Sequence, residues 1–262
     1  MGLIKTEEEI VRMREAGGCA AFVLDEVRKA TKVGVSTWDL DQKAKEVMAS
    51  VGAISSAYHY GAPSNPFPSY ICVSLNDEVV HGIGKKDRII KEGDIVSLDV
   101  ALYYKGFAGD NTLTFAVGAI PEDTRRLIEV TRSALIEGIA QARDGNFIGD
   151  IGYAIQTTAE KNHLGVVRDL VGHGIGRHMH EEPQVPNFGK PHTGFRLQAG
   201  MTIAIEPMFT LGAPKLRTLE DGWTIVTADN QMSAHFEHTV LITKDAPEIL
   251  TNLKNSSQSN LL

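Results

Sequence analysis

Apolar residues recur along this chain with two different periods, and the changes of period divide it. Thr6-Glu7-Glu8-Glu9 has the form of a capping box, a Thr N-cap with Glu three positions on. Behind it Ile10, Met13, Gly17, Ala20, Leu24 and Val27 return at helical spacing and predict a long first helix. After Gly34, Ser36 or Thr37 caps a second helix with Leu40, Ala44, Val47 and Met48 on one face. The period then falls towards two, with strand-like text from Tyr70 to Val80 and from Asp94 to Phe115. Pro121 opens a third helix reaching about Ala142, and a fourth runs from about Gly149 to Asn162. Strands return between Gly200 and Thr243. The ending "NLKNSSQSNLL" is polar, and residues 251–262 are expected to form a frayed tail.

Helices then strands, twice over, suggests a duplication, and matched landmarks support one. Gly34 and Asp39 correspond to Gly145 and Asp150. His81-Gly-Ile-Gly has its counterpart in His173-Gly-Ile-Gly. Gly93-Asp-Ile-Val-Ser-Leu-Asp99 matches Gly200-Met-Thr-Ile-Ala-Ile-Glu206, and Asp110-Asn-Thr112 matches Glu237-His-Thr239. The landmarks keep their order, so we expect one domain over 1–250 made of half-repeats, about 4–118 and 119–250, packed around a pseudo-two-fold axis.

That axis has a chemical consequence. If Lys105-Gly106 turns a hairpin, Ala101 faces Asp110, and Asp99 and Asp110 become diagonal neighbours on one face. Glu206 and Glu237 take the equivalent places in the second half, so four carboxylates converge. Anions cannot share a half-buried space unaided, because like charges and desolvation both raise their pKa values. Protons or cations must neutralise them. Oxygen ligands with one imidazole suit a pair of divalent Mn, Fe, Co or Zn ions, and His173 is the natural nitrogen ligand.

Composition narrows the class. A net charge of -7 with no dominant basic patch argues against a nucleic-acid partner. No run approaches a membrane span and no segment reads as a signal peptide, so no membrane association is expected. Two cysteines, Cys19 and Cys72, are too few for a disulfide framework and point to the cytoplasm. Nothing demands more than a monomer.

The chain resembles the methionine aminopeptidases, in their short bacterial type I form. The carriers are "NDEVVHGIG", "GDIVSLDVALYYKGFAGD", "GHGIGRHMHEEPQVP", "AIEPM" and "DGWTIVTADNQMSAHFEHTVLIT". The resemblance runs from about Ile4 to Leu250. It implies an α+β pita-bread fold, two pseudo-symmetric half-domains whose curved antiparallel sheet is covered by helices around a central dimetal site. It implies two divalent ions per chain, with Asp99 on one, His173 and Glu206 on the other, and Asp110 and Glu237 bridging. Its two non-ligand histidines match His81 and His180, and its substrate pocket matches Phe67, Cys72, Met179 and Trp223, with Tyr58 as the pocket tyrosine. The chain departs from the pattern at His178-Met179 and in a longer link around Gly61–Pro66. We read His178 as loop decoration.

The activity implied is removal of the first residue from a peptide or nascent chain beginning with methionine. The metals would supply a nucleophile at neutral pH by acidifying water. Glu206 would take its proton, His180 would stabilise the carbonyl oxygen, and His81 would orient the peptide near the leaving nitrogen. Docking to the ribosome would suit such an enzyme, although no sequence feature carries it. The alternatives are an Xaa-Pro peptidase of the prolidase type and a non-catalytic binding module of the same fold. The first usually has a further N-terminal domain. The second should have lost ligands and gained basic surface.

Overall fold

The first two helices begin where their caps dictate. Glu9 N–H donates to Thr6 Oγ1 at 3.2 Å while Thr6 N–H donates to Glu9 Oε2 at 3.0 Å, opening α1, Glu7–Ala30. Ser36 and Asp39 make the same reciprocal pair at the start of α2, Thr37–Val51. In this computed structural model, which describes residues 2–255, the chain continues through β1 (Cys72–Leu75), β2 (Glu78–Val80), β3 (Ile95–Tyr104) and β4 (Phe107–Ala116). Then come α3 (Glu122–Gln141), α4 (Ile148–Lys161), β5 (Gly172–Gly174), β6 (Glu181–Val185) and β7 (Thr202–Ile205). The last of the main strands are β8 (Met208–Thr210), β9 (Ile225–Thr227), β10 (Ser233–His235) and β11 (Glu237–Leu241).

The main sheet is antiparallel, in the order β3-β4-β11-β7-β5-β6, with β1 also paired to β3. The β3–β4 hairpin turns at Lys105-Gly106 and places Ala101 opposite Asp110, the expected register. β4 and β11 meet at the middle, Asn111 opposite His238 and Thr112 opposite Glu237. Asn111 and His238 are repeat-matched, so the pseudo-axis passes through this one pair. Around it Thr112 Oγ1 donates to Glu237 Oε2 at 2.9 Å, and Thr239 Oγ1 donates to the Asp110 carbonyl at 2.9 Å.

The duplication extends to backbone and caps. Gly34 and Gly145 have φ of 90° and 87°, and Gly93 and Gly200 have 90° and 91°. These are left-handed turns that a side chain would strain. Phe147 N–H donates to Asp150 Oδ2 at 2.8 Å, which gives Asp150 the role of its counterpart Asp39.

Each half has its own apolar core between helices and sheet. Val23 and Leu24 of α1 and Leu40 and Ala44 of α2 pack on Leu98 and Val100 of β3. Leu135 and Ile139 of α3 and Ile151 and Ile155 of α4 pack on Ile203 and Ile205 of β7. Burying each such side chain stabilises the fold by about 1.5–3 kcal/mol.

Two expectations change. The strand-like text from Tyr70 to Val80 is two strands in different sheets, since Asn76 turns the chain at φ 59° and β2 pairs with β9. Within the expected tail, Thr251 is buried, its hydroxyl contacting His238 Nδ1 at 2.8 Å, and Leu253–Asn255 form a 3-10 turn. Residues 256–262 lie outside the described residues.

Candidate metal centre and active site

Strand alternation and the pseudo-axis deliver the acidic side chains to one cavity of about 140 Å³. Asp99 comes from β3, Asp110 from β4, Glu206 from just beyond β7 and Glu237 from the first position of β11. His173 enters from β5. Its Nε2 lies 3.8 Å from Asp110 Oδ2 and 3.8 Å from Glu206 Oε1. Ligand atoms of Asp110, His173 and Glu237 all fall within 4.8 Å of one another.

The electrostatics of this group call for neutralisation, by protons or by a cation. Burial, and then the neighbouring carboxylates, push Asp110, Glu206 and Glu237 well above the usual carboxylate range. Burial raises Asp99 to about 6, while Thr112 and Cys72 beside it pull the other way. Among the described residues, Asp110 Oδ1 and Glu237 Oε1 are buried with no hydrogen-bond partner. An acceptor left so is costly, and divalent cations would satisfy both oxygens. His173 Nδ1 donates to the Gly174 carbonyl at 2.9 Å, which leaves the Nε2 lone pair facing the acids. Burial lowers its pKa to about 4, so the imidazole is neutral and able to ligate. Hard carboxylates with one neutral imidazole fit a divalent metal.

Apolar groups complete the lining. Phe67, Cys72, Met179 and Trp223 line the same cavity, with Phe67 and Trp223 in edge-to-face contact at 5.3 Å. His81 and His180 stand at its rim. His180 packs across His173 at 4.4 Å between ring centroids, and desolvation lowers the pKa of both His81 and His180. His81 has φ 59°, a conformation that non-glycine residues seldom hold without a reason. A more open groove shares His81, His173, His180 and Glu206 and continues along Leu170 and Gln184.

The sequence model of metallopeptidase family M24 matches residues 11–244. The chain belongs to this family. A methionine aminopeptidase of Clostridium acetobutylicum is 45% identical over 251 residues, covering 96% of this chain and 99% of that protein. The crystal structure of methionine aminopeptidase from Thermotoga maritima superposes with a TM-score of 0.92 at 44% identity, covering 95% of this chain and 98% of that one. That match establishes the pita-bread fold. Prolidase from Pyrococcus furiosus shares the fold at a TM-score of 0.75 but is 22% identical, and the match covers only 65% of its chain.

In this M24 chain the structure brings together Asp99, Asp110, His173, Glu206 and Glu237, and beside them His81, His180, Phe67, Cys72, Met179 and Trp223. Tyr58 is not among them. It is exposed, its ring stacked between those of His59 and Tyr70. Tyr60 lines the cavity instead, with its hydroxyl 3.4 Å from His180 Nδ1. The link around Tyr58 turns at His59 (φ 64°), so two-residue spacing does not keep both tyrosines on one face. His178 is exposed and outside the cavity. Its N–H donates to Glu181 Oε1, and Glu181 is held by Lys5 at 2.8 Å, as suits a loop residue.

Sequence reasoning also missed His235, which is buried and lines the cavity. The signal was faint: it stands two residues before Glu237, but a change of strand at Phe236 falls between them.

Proposed function

We propose that this metallo-aminopeptidase removes the N-terminal methionine from newly made proteins by hydrolysing their first peptide bond. The observation that carries the reading is one cavity lined both by five groups able to ligate a metal and by an apolar set, Phe67, Cys72, Met179 and Trp223. Asp99, Asp110, His173, Glu206 and Glu237 would hold a pair of divalent ions of Mn, Fe, Co or Zn, the occupant being set by supply as much as by affinity. Bound there, the metals supply a nucleophile at neutral pH by acidifying water.

The chain's own residues do the rest. The recess of Phe67, Cys72, Met179 and Trp223 takes the methionine side chain, favoured by area burial and thioether–aromatic contact. The groove along Leu170 and Gln184 receives the remainder of the peptide. Glu206 accepts the proton of the attacking water and passes it to the leaving amine. His180, at the rim, donates to the scissile carbonyl oxygen as charge develops there. His81 orients the peptide near the leaving nitrogen. Both cysteines are free and buried, which suits a reducing compartment, and we place the protein in the cytoplasm.

Release of methionine from Met-Ala-Ser tests the reading. Activity should disappear on treatment with a strong chelator and return with added Mn or Co. Turnover that persists after chelation overturns the metal-dependent reading, and cleavage of Xaa-Pro peptides in place of Met-Ala-Ser overturns the substrate.

A further inference from the structure

His235 brings a second imidazole into the cavity. It is buried at 3% exposure, and its Nε2 has no hydrogen-bond partner among the described residues. That atom lies 3.7 Å from Glu206 Oε2, while Glu206 Oε1 lies 3.8 Å from His173 Nε2. One carboxylate is thus flanked by two rings, one facing each oxygen.

The remaining acids show what is missing. Hydrogen bonding from Cys72 opposes the pKa rise of Asp99, that from the Asn111 backbone N–H opposes the rise of Asp110, and Thr112 Oγ1 donates to Glu237 at 2.9 Å. Each is held in place by a donor of the chain. Among the described residues no hydrogen bond reaches the Glu206 side chain. Facing it at 3.7 Å is the partnerless Nε2 of His235. The separation is long for a hydrogen bond, and a small turn of the carboxylate closes it. The repeat-matched position in the first half is Ala108, which has nothing to donate, so this contact belongs to the second half alone.

We propose that His235 is a positioning residue for Glu206: its Nε2–H donates to Oε2, turns Oε1 towards His173, and so sets the affinity of that side of the centre for a divalent cation. The inference rests on reading the cavity as a metal centre. Partners that orient ligating side chains commonly change metal affinity by about 10–100-fold when removed.

Cobalt titration of the metal-free protein, followed calorimetrically and by the visible absorption of bound Co(II), tests it without reference to turnover. His235→Leu removes the donor and should weaken one binding step by about 10–100-fold while leaving the other unchanged. His235→Gln keeps an N–H at similar reach and should restore that step to within about threefold, with an unshifted absorption band. If His235→Leu does not fold, His235→Asn replaces it, since its amide is a methylene too short and should lose affinity likewise. Wild-type affinity in either short or apolar variant overturns the proposal. Loss of affinity in His235→Gln overturns it as well, and a shifted band there makes the ring a direct ligand. If the wild-type protein takes up no cobalt, the metal-centre reading itself fails.

Discussion

Glu237 is held in a position it would not choose alone. It is buried against Asp110 and Glu206, and its pKa stands well above the carboxylate range for that reason. A carboxyl whose folded pKa exceeds its unfolded value of about 4.3 binds more protons when folded. Its contribution to stability is fully present below the unfolded pKa and is lost as pH rises through the folded one. His173 and His235, lowered to about 4 and about 3, run the other way: their contribution is lost as pH falls from about 6.5 through those values. Comparing Glu237→Gln with wild type in chelator isolates the acid. The variant should gain on the order of 1–3 kcal/mol relative to wild type between pH 5 and pH 8, a rise of ~2–4 °C in Tm per kcal/mol. A Tm difference that stays flat over that range would show that Glu237 carries no such strain. The same crowding made the acids readable beforehand, because four carboxylates at repeat-matched positions have few innocent explanations. Tyr60 and His235 were harder. Neither has a matched partner in the other half, and their directions depend on a loop and on a strand end.

The link between α2 and β1 illustrates how an element earns a place in the site. Its longer stretch, Gly61–Pro66, lies against Trp223. The indole Nε1 donates to the Asn65 carbonyl at 3.2 Å, and Asn65 Nδ2 donates to the Asp221 carbonyl at 3.2 Å. Gly61 has φ 95°, and a Cβ there would sit 2.5 Å from Trp223 Cη2. Gly61→Val should therefore displace the indole and raise KM for Met-Ala-Ser by roughly tenfold, the scale of a lost apolar contact. Its metal content should be unchanged. A wild-type KM would mean that this wall is held by something else. Among the elements, the hairpin and the four helices were legible because their runs are long enough to show a period. The three-residue strands were not. At Phe236 the chain leaves β10, paired with β8, and enters β11, paired with β4, with no change of pattern to mark the switch.

Across the whole molecule, the centre is divided between halves that have separate cores. The first half supplies Asp99 and Asp110, the second His173, Glu206 and Glu237. A cation bound by both halves stabilises only the folded chain. Metal at 100 times its Kd should add about 2.7 kcal/mol. In calorimetry that is a single transition shifted upwards by roughly 5–10 °C, and Asp110→Asn should abolish the shift. Two separate transitions, only one of them moved by metal, would contradict a centre shared between halves. The duplication could be read in advance because its landmarks are chemical: glycines at φ near 90° and acids at strand ends tolerate little else. How the halves dock could not, since Asn111 and His238 are an ordinary-looking pair until the register shows the axis passing through them. That axis runs between β4 and β11, whose paired residues Asn111 and His238 lie far apart along the chain. A polypeptide interrupted before Glu237 would lack both that candidate ligand and the seam joining its halves, and should be an inert remnant rather than a weak, unregulated protease.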